Sequence, residues 1–166
     1  MEKVIPREEE IWKALEEVAD PEIPVLTVQD LGIVREVNVS EDGAVEVVIT
    51  PTYSGCPAMN TIEVNIKAVL QEKGYEPVKV TTVLSPAWTT DWMSEKGREK
   101  LRAYGIAPPV ERTEDKSALF GDEKQVPCPH CGSEKTSLVS QFGSTACKAL
   151  YRCQDCLEPF DYFKCH

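Results

Sequence analysis

IVREVNVSEDGAVEVVI, Ile33 to Ile49, reads as two strands with a turn between them. Ile33, Arg35, Val37 and Val39 alternate onto one face, and Val45, Val47 and Ile49 do the same on the way back. Ser40-Glu41-Asp42-Gly43 supplies the reversal, with Asp42-Gly43 as the hairpin signal. An antiparallel pair is therefore expected.

Moving outward, Pro6 opens a helical pattern upstream, with Ile11, Leu15 and Val18 on one stripe and Trp12 beside it. Asp20-Pro21 should end that helix, because a residue before proline is pushed out of helical geometry. The extended loop DPEIPVLTVQDLG leads back to the hairpin. Downstream, TPTYSGCP enters a second helix with Pro57 at its first position, Met59, Ile62, Ile66 and Val69 inward, and Gly74 at its close. Pro77 to Leu84 is a third strand. Ser94 to Tyr104 is a third helix, weakened by Gly97 and ended by Gly105. The expected fold is α+β: a small three-stranded mixed sheet packed with helices in the order α-β-β-α-β-α, plus a C-terminal all-β zinc-ribbon.

The ribbon rests on two Cys-x-x-Cys pairs, Cys128/Cys131 and Cys153/Cys156. Their separation is close to the roughly 15–20 residues of a four-cysteine zinc site. Four thiolates suit tetrahedral zinc. Iron and iron–sulfur centres use the same ligands, and a redox dithiol needs only one pair. The segments divide as 1–106, a first domain; 107–125, a charged linker with two prolines, in which Leu119 and Phe120 could dock; and 126–166, the ribbon. Strands are expected near Thr136–Phe142, Lys148–Arg152 and Pro159–Phe163, with Phe160, Tyr162 and Phe163 as the small core or, alternatively, a partner surface. Trp88 and Trp92 read as core residues of the first domain, with a partner-facing position as the alternative.

The 166 residues carry 28 acidic and 18 basic side chains, a net charge of −10. That balance, with no dense basic stripe, argues against nucleic-acid binding. The N-terminus is charged from its first residues, and no run is long enough for a membrane span. A cytoplasmic protein is expected, in which seven cysteines serve metal or thiol chemistry rather than disulfides.

Cys56, in Gly55-Cys56-Pro57, lies between a strand and a helix. A thiol there meets the positive end of the helix dipole, which favours the reactive thiolate; the alternative is a small residue packed near a cap. Thr52, Tyr53 and Ser54 add hydroxyls. Asp20 could orient or deprotonate that thiol, serve as an oxygen ligand, or satisfy loop amides. Both histidines, His130 and His166, fall in the ribbon, so no Cys–His nucleophilic pair exists in the first domain. Cys147 reads as a buried strand cysteine, an extra ligand or a reactive thiol. With Cys165 and His166 it could form a second metal or thiol site. His130 reads as a spacer within its knuckle.

DPEIPVLTVQDLGIV followed by a hairpin and Gly-Cys-Pro resembles the SufT-like iron–sulfur cluster assembly domain over roughly the first hundred residues. That resemblance implies a cluster-related thiol at Cys56 with Asp20 as its acidic neighbour. SPAWTTDWMSEKGREKLRAYGIAPP and the ending FGSTACKALYRCQDCLEPFDYFKCH resemble the PaaD (PaaJ) family, which accompanies the phenylacetyl-CoA epoxidase of phenylacetate catabolism. The implied role is a non-enzymatic accessory or maturation factor. It would assemble or deliver iron–sulfur clusters, hold structural zinc and contact the phenylacetyl-CoA oxygenase or its reductase. A homodimer, a purely structural oxygenase subunit and a thiol redox factor are the alternatives. No Glu-x-x-His pair and no glycine-rich dinucleotide fingerprint is present, so the oxidation chemistry itself belongs to other polypeptides.

Overall fold

The computed structural model describes residues 5–53, 55–110 and 125–163. Helix α1, Glu8–Leu15, begins with three glutamates in its first turn, where a carboxylate complements the helix dipole. Glu10 also accepts the Arg7 amide at 3.1 Å. Ile11, Ala14 and Leu15 face inward. The helix ends earlier than the Asp20-Pro21 signal suggests. Val18 remains buried, but its carbonyl accepts the Val28 amide at 3.0 Å, and the Asp20 amide goes to Leu26 at 2.8 Å. The loop thus takes up the backbone groups that a longer helix would need.

Strands β1, Val34–Val39, and β2, Val45–Ile49, pair antiparallel as the hairpin pattern predicts. Val37 opposes Val47 and Val39 opposes Val45. A bulge between Val34 and Glu36 breaks the alternation, so Val34, not Arg35, pairs opposite Ile49. Arg35 instead lays its guanidinium over the Trp92 ring, 3.5 Å from the centroid.

Helix α2, Ala58–Glu72, buries Ala58, Ile62, Ile66 and Leu70, a stripe one position off the expected Met59/Val69 edges. It carries the chain to β3, Val78–Thr82, which lies parallel to β2. A parallel neighbour needs such a crossover. The sheet order is β1-β2-β3, mixed as expected. α1 packs on α2 and β1, and α2 packs on β3, so Val45, Val47 and Ile49 are shut away on the helical side.

After β3 a 3-10 turn, Thr90–Trp92, leads to α3, Glu95–Tyr104. Ser94 caps α3 by accepting the Gly97 amide at 2.9 Å, and its own amide and hydroxyl go to the carbonyl and carboxylate of Asp30. Gly97, a weak point by helix propensity, serves this contact. A Cβ there would stand 3.0 Å from both the Cβ and the carbonyl oxygen of Asp30. Alanine would gain about 1 kcal/mol of helix propensity. The crowded Asp30 backbone is already fixed by hydrogen bonds, so overpacking outweighs that gain by about 1 kcal/mol or more. Chemical denaturation of Gly97→Ala should therefore show a lower midpoint than the parent chain.

The chain divides into two compact units, the first ending at Gly97 and the second starting at Arg98. The second unit holds a four-stranded sheet ordered β4-β7-β6-β5: β4 Ile106–Ala107, β5 Thr136–Ser140, β6 Lys148–Cys153 and β7 Pro159–Phe163. Three of these strands lie where the ribbon pattern puts them. The fourth was not expected: Ala107, placed by sequence at the start of a linker, lies in β4 and pairs parallel with Tyr162. Residues 111–124, which contain Leu119 and Phe120, lie outside the described residues. Ala107, Val126, Ala149, Tyr151, Phe160 and Tyr162 form the core of this unit with Cys128 and Cys153. Tyr151 stacks on Phe160 and meets Tyr162 edge-on. No helix among the described residues is long and apolar enough to cross a membrane.

Candidate metal centre and candidate thiol site

Each Cys-x-x-Cys pair sits on a tight turn. In the first, the Cys128 amide donates to the Ser133 carbonyl and the Gly132 amide to the Cys128 carbonyl, with Gly132 at φ +77°. In the second, the Cys153 amide donates to Glu158, and Leu157 takes φ +65°, a conformation a side chain rarely adopts. The Gln154 amide donates to the Lys135 carbonyl at 2.8 Å, and Asp155 receives the Ser133 hydroxyl and an ion pair from Lys135. Two turns so joined face each other.

The four sulfurs lie within 4.8 Å of one another. Cys131 and Cys153 are 3.5 Å apart, and Cys128 and Cys156 are 3.7 Å apart. A tetrahedron with zinc–sulfur bonds of about 2.3 Å places its sulfurs about 3.8 Å apart, so the donor set fits a single four-coordinate ion. Cys128 and Cys153 are buried, Cys156 is half-buried and Cys131 is exposed.

Crowded thiols cannot all ionise without a cation. The amides of Cys156 and Asp155 stabilise a thiolate on Cys153 and pull it down to about 6. Cys156 is drawn down by the Glu158 amide, but desolvation and the neighbouring sulfurs prevail and push it up to about 12. Cys131, despite the Ser133 amide, is raised by the Cys153 sulfur and desolvation. A metal ion must displace the protons held by Cys131 and Cys156, so metal affinity rises with pH. The sign is therefore fixed: acid favours the metal-free ribbon. Chelator competition from pH 8 to pH 5 should show affinity falling throughout, and more steeply once pH passes about 6, where Cys153 also takes up a proton.

Cys147 is not part of this centre. It precedes β6, whereas Cys153 ends it, so six extended residues separate them by about 20 Å. Its sulfur lies 3.0 Å from the Thr145 hydroxyl in a buried position beside Lys148, whose ammonium donates to Ser144 at 3.3 Å. Cys165 and His166, its expected companions, lie outside the described residues. His130 is exposed, as a spacer should be, yet its ring reaches within 3.2 Å of where a Cβ on Gly105 would stand.

In the first unit, Cys56 is half-buried at the strand-to-helix turn. Gly55 takes φ +81°, the Cys56 amide donates to the Tyr53 carbonyl, and the Cys56 carbonyl accepts the Met59 amide. Pro57 caps α2 and supplies no side-chain hydrogen bond. Asp20 is buried, and its Oδ1 accepts the amides of Glu22 and Ile23, both at 2.8 Å. This is the loop-capping role. Asp20 also lines a groove of about 370 Å³ with Pro21, Pro24, Asn65 and Val69. Asn65 lies about 10 Å along α2 from Ala58, whereas Cys56 precedes the first turn. The groove thus runs beside the helix, and the two amides that Asp20 Oδ1 accepts belong to its own loop.

Thr50 directly follows β2 and opens the TPTYSGCP loop. Its Oγ1 is buried without a hydrogen-bond partner among the described residues, six positions before Cys56. No sequence signal distinguishes such a hydroxyl from a paired one.

Residues 8–84 match the family described as "Iron-sulfur cluster assembly protein", and residues 112–164 match "PaaD zinc beta ribbon domain". Over 160 residues the chain is 52% identical to a protein of Escherichia coli (strain K12) named as one subunit of a "Putative 1,2-phenylacetyl-CoA epoxidase", covering 96% of this chain and 94% of that one. A Staphylococcus aureus protein named "Fe-S protein maturation auxiliary factor SufT" is 40% identical over 51% of this chain and 96% of its own. A crystal structure of a domain of unknown function from Bacillus anthracis superposes with a TM-score of 0.54 at 29% identity, over 57% of this chain and 90% of its own.

Proposed function

The chain belongs to the PaaD family, and from that premise we propose that it matures a phenylacetyl-CoA epoxidase system by assembling iron–sulfur clusters or delivering them to a partner enzyme. It acts as an accessory protein and carries no catalytic residue of its own. The observation that carries this reading is the end-to-end match, in which an assembly-type domain and a ribbon occur together. The cluster is cargo. Cys56 is its thiol contact, held half-open at the start of α2. Thiolate exchange with a recipient's cysteines lets a cluster pass without being released to solvent. Asp20 acts by shaping the loop beside α2 rather than by ligating. In the ribbon, Cys128, Cys131, Cys153 and Cys156 hold structural zinc and make a rigid module for docking the oxygenase or its reductase.

The test is anaerobic reconstitution with iron and sulfide, followed by transfer to the apo reductase. Cys56→Ala should lose at least about ten-fold in transferred cluster while keeping one zinc per chain, because the ribbon does not use Cys56. Unchanged transfer by Cys56→Ala removes Cys56 from the role.

The name of the Escherichia coli relative favours a second reading, a constitutive subunit that holds the oxygenase together. An oxygenase assembled without this chain, and fully active once its cofactors are supplied, defeats that second reading and leaves the first.

A further inference from the structure

Three of the four cysteines of the candidate metal centre are shielded and one is not. Cys128 and Cys153 are 3% and 0% exposed, and Cys156 is half-buried, whereas Cys131 faces solvent. The Cys153 sulfur also accepts the Cys156 amide at 3.5 Å, inside its own knuckle. The backbone after Cys131 is open: a Cβ on Gly132 would meet nothing within 4 Å. A small oxidant therefore reaches Cys131 first. A resolving sulfur is already present, since Cys153, on the other knuckle, lies 3.5 Å away.

We propose that Cys131 is an oxidation site for peroxides, and that its product is a cross-knuckle disulfide with Cys153 that expels the metal. In the first step the Cys131 thiolate attacks one peroxide oxygen, the O–O bond breaks, and with one proton the products are a sulfenic acid and water. In the second, the Cys153 thiolate attacks the sulfenic sulfur, and its hydroxyl leaves with a second proton as water. The two sulfurs lose two electrons, and one hydrogen peroxide becomes two waters. Zinc, left with two ligands of four, departs. The knuckle motif alone points elsewhere, to disulfides within each Cys-x-x-Cys pair. In the folded ribbon, cross-knuckle separations of 3.5 and 3.7 Å put a partner sulfur on the other knuckle within reach instead. This inference is independent of the role assigned to Cys56.

The experiment uses the zinc-loaded full chain carrying Cys56→Ala, Cys147→Ala and Cys165→Ala, so that only Cys128, Cys131, Cys153 and Cys156 remain as thiols. Hydrogen peroxide is added stepwise with a chromogenic zinc indicator, with and without a sulfenic-acid trap, and peptides are mapped by mass spectrometry. Trapped adduct should favour Cys131 over each of the other three ligands by about ten-fold or more, following exposure. Without the trap, one zinc should leave per Cys131–Cys153 disulfide formed, and thiol reductant plus zinc should restore the ribbon. A first adduct on Cys128, Cys153 or Cys156, a Cys128–Cys131 disulfide, or zinc retained under excess peroxide overturns the proposal.

Discussion

Cys153→Ser is expected to unfold the second unit and leave the first intact. Cys153 is wholly buried, ends β6, supplies a thiol whose ionised form the knuckle amides favour and belongs to the packed cluster with Val126, Tyr151 and Phe160. A serine hydroxyl is a poor zinc ligand, and a three-thiolate site binds far more weakly. Structural zinc supplies about 10–16 kcal/mol of apparent folding energy in small metal domains. A ribbon of this size buries too little apolar surface to survive losing even a third of that. The signature is specific: zinc content falls from one per chain towards zero, and the near-ultraviolet signal of the Tyr151–Phe160–Tyr162 cluster disappears. Proteolysis should then open the chain beyond Arg98 while residues of the first unit stay protected. Cys147→Ala supplies the contrast. It removes a buried thiol of similar size, about 20 Å along the strand from the centre, and should cost only about 1–2 kcal/mol with full zinc retained. Full zinc and an unchanged melt in Cys153→Ser would show that the four cysteines are not the metal centre.

Legibility in the sequence tracked how local the determining signal is. The hairpin, α2 and the knuckles are written in spacing and turn residues, and the structure places all three where those signals lie. Three features were not readable. The bulge at Arg35 depends on a partner more than fifty residues away, since the guanidinium that leaves the alternation stacks on Trp92. The early end of α1 depends on loop carbonyls that claim the amides of Asp20 and Val28. β4 is two residues long and exists only because β7 offers an edge. The candidate site divides in the same way. The metal ligands follow from chemistry at fixed spacing. That Asp20 accepts two loop amides does not, because such a carboxylate looks in sequence like any other beside a proline.

Gly32→Ala should be the most damaging single substitution in the first unit. Gly32 takes φ +70°, a conformation that costs an L-residue about 1 kcal/mol. Gly55 and Gly74 share that property, but a Cβ at either meets nothing within 4 Å, so alanine there should cost only about that much. At Gly32 a Cβ would lie 2.3 Å from the Trp92 carbonyl oxygen and 2.7 Å from its Cβ. Backbone cannot swing aside as a flexible side chain can. The crowded segment is also pinned: Trp88 donates to the Leu31 carbonyl at 2.7 Å, Ser94 is tied to Asp30, and Arg35 lies over the Trp92 ring. Relief therefore requires the 88–94 segment to lift from the 27–33 loop, exposing the buried Trp88 and Met93. Strain and lost burial together should reach about 3–5 kcal/mol, a large share of the stability of a domain this size. Denaturation monitored by tryptophan fluorescence should show a midpoint far below those of Gly55→Ala and Gly74→Ala, with zinc content unchanged in all three. If the three alanine variants melt together, the close approach at Trp92 does not hold the loop.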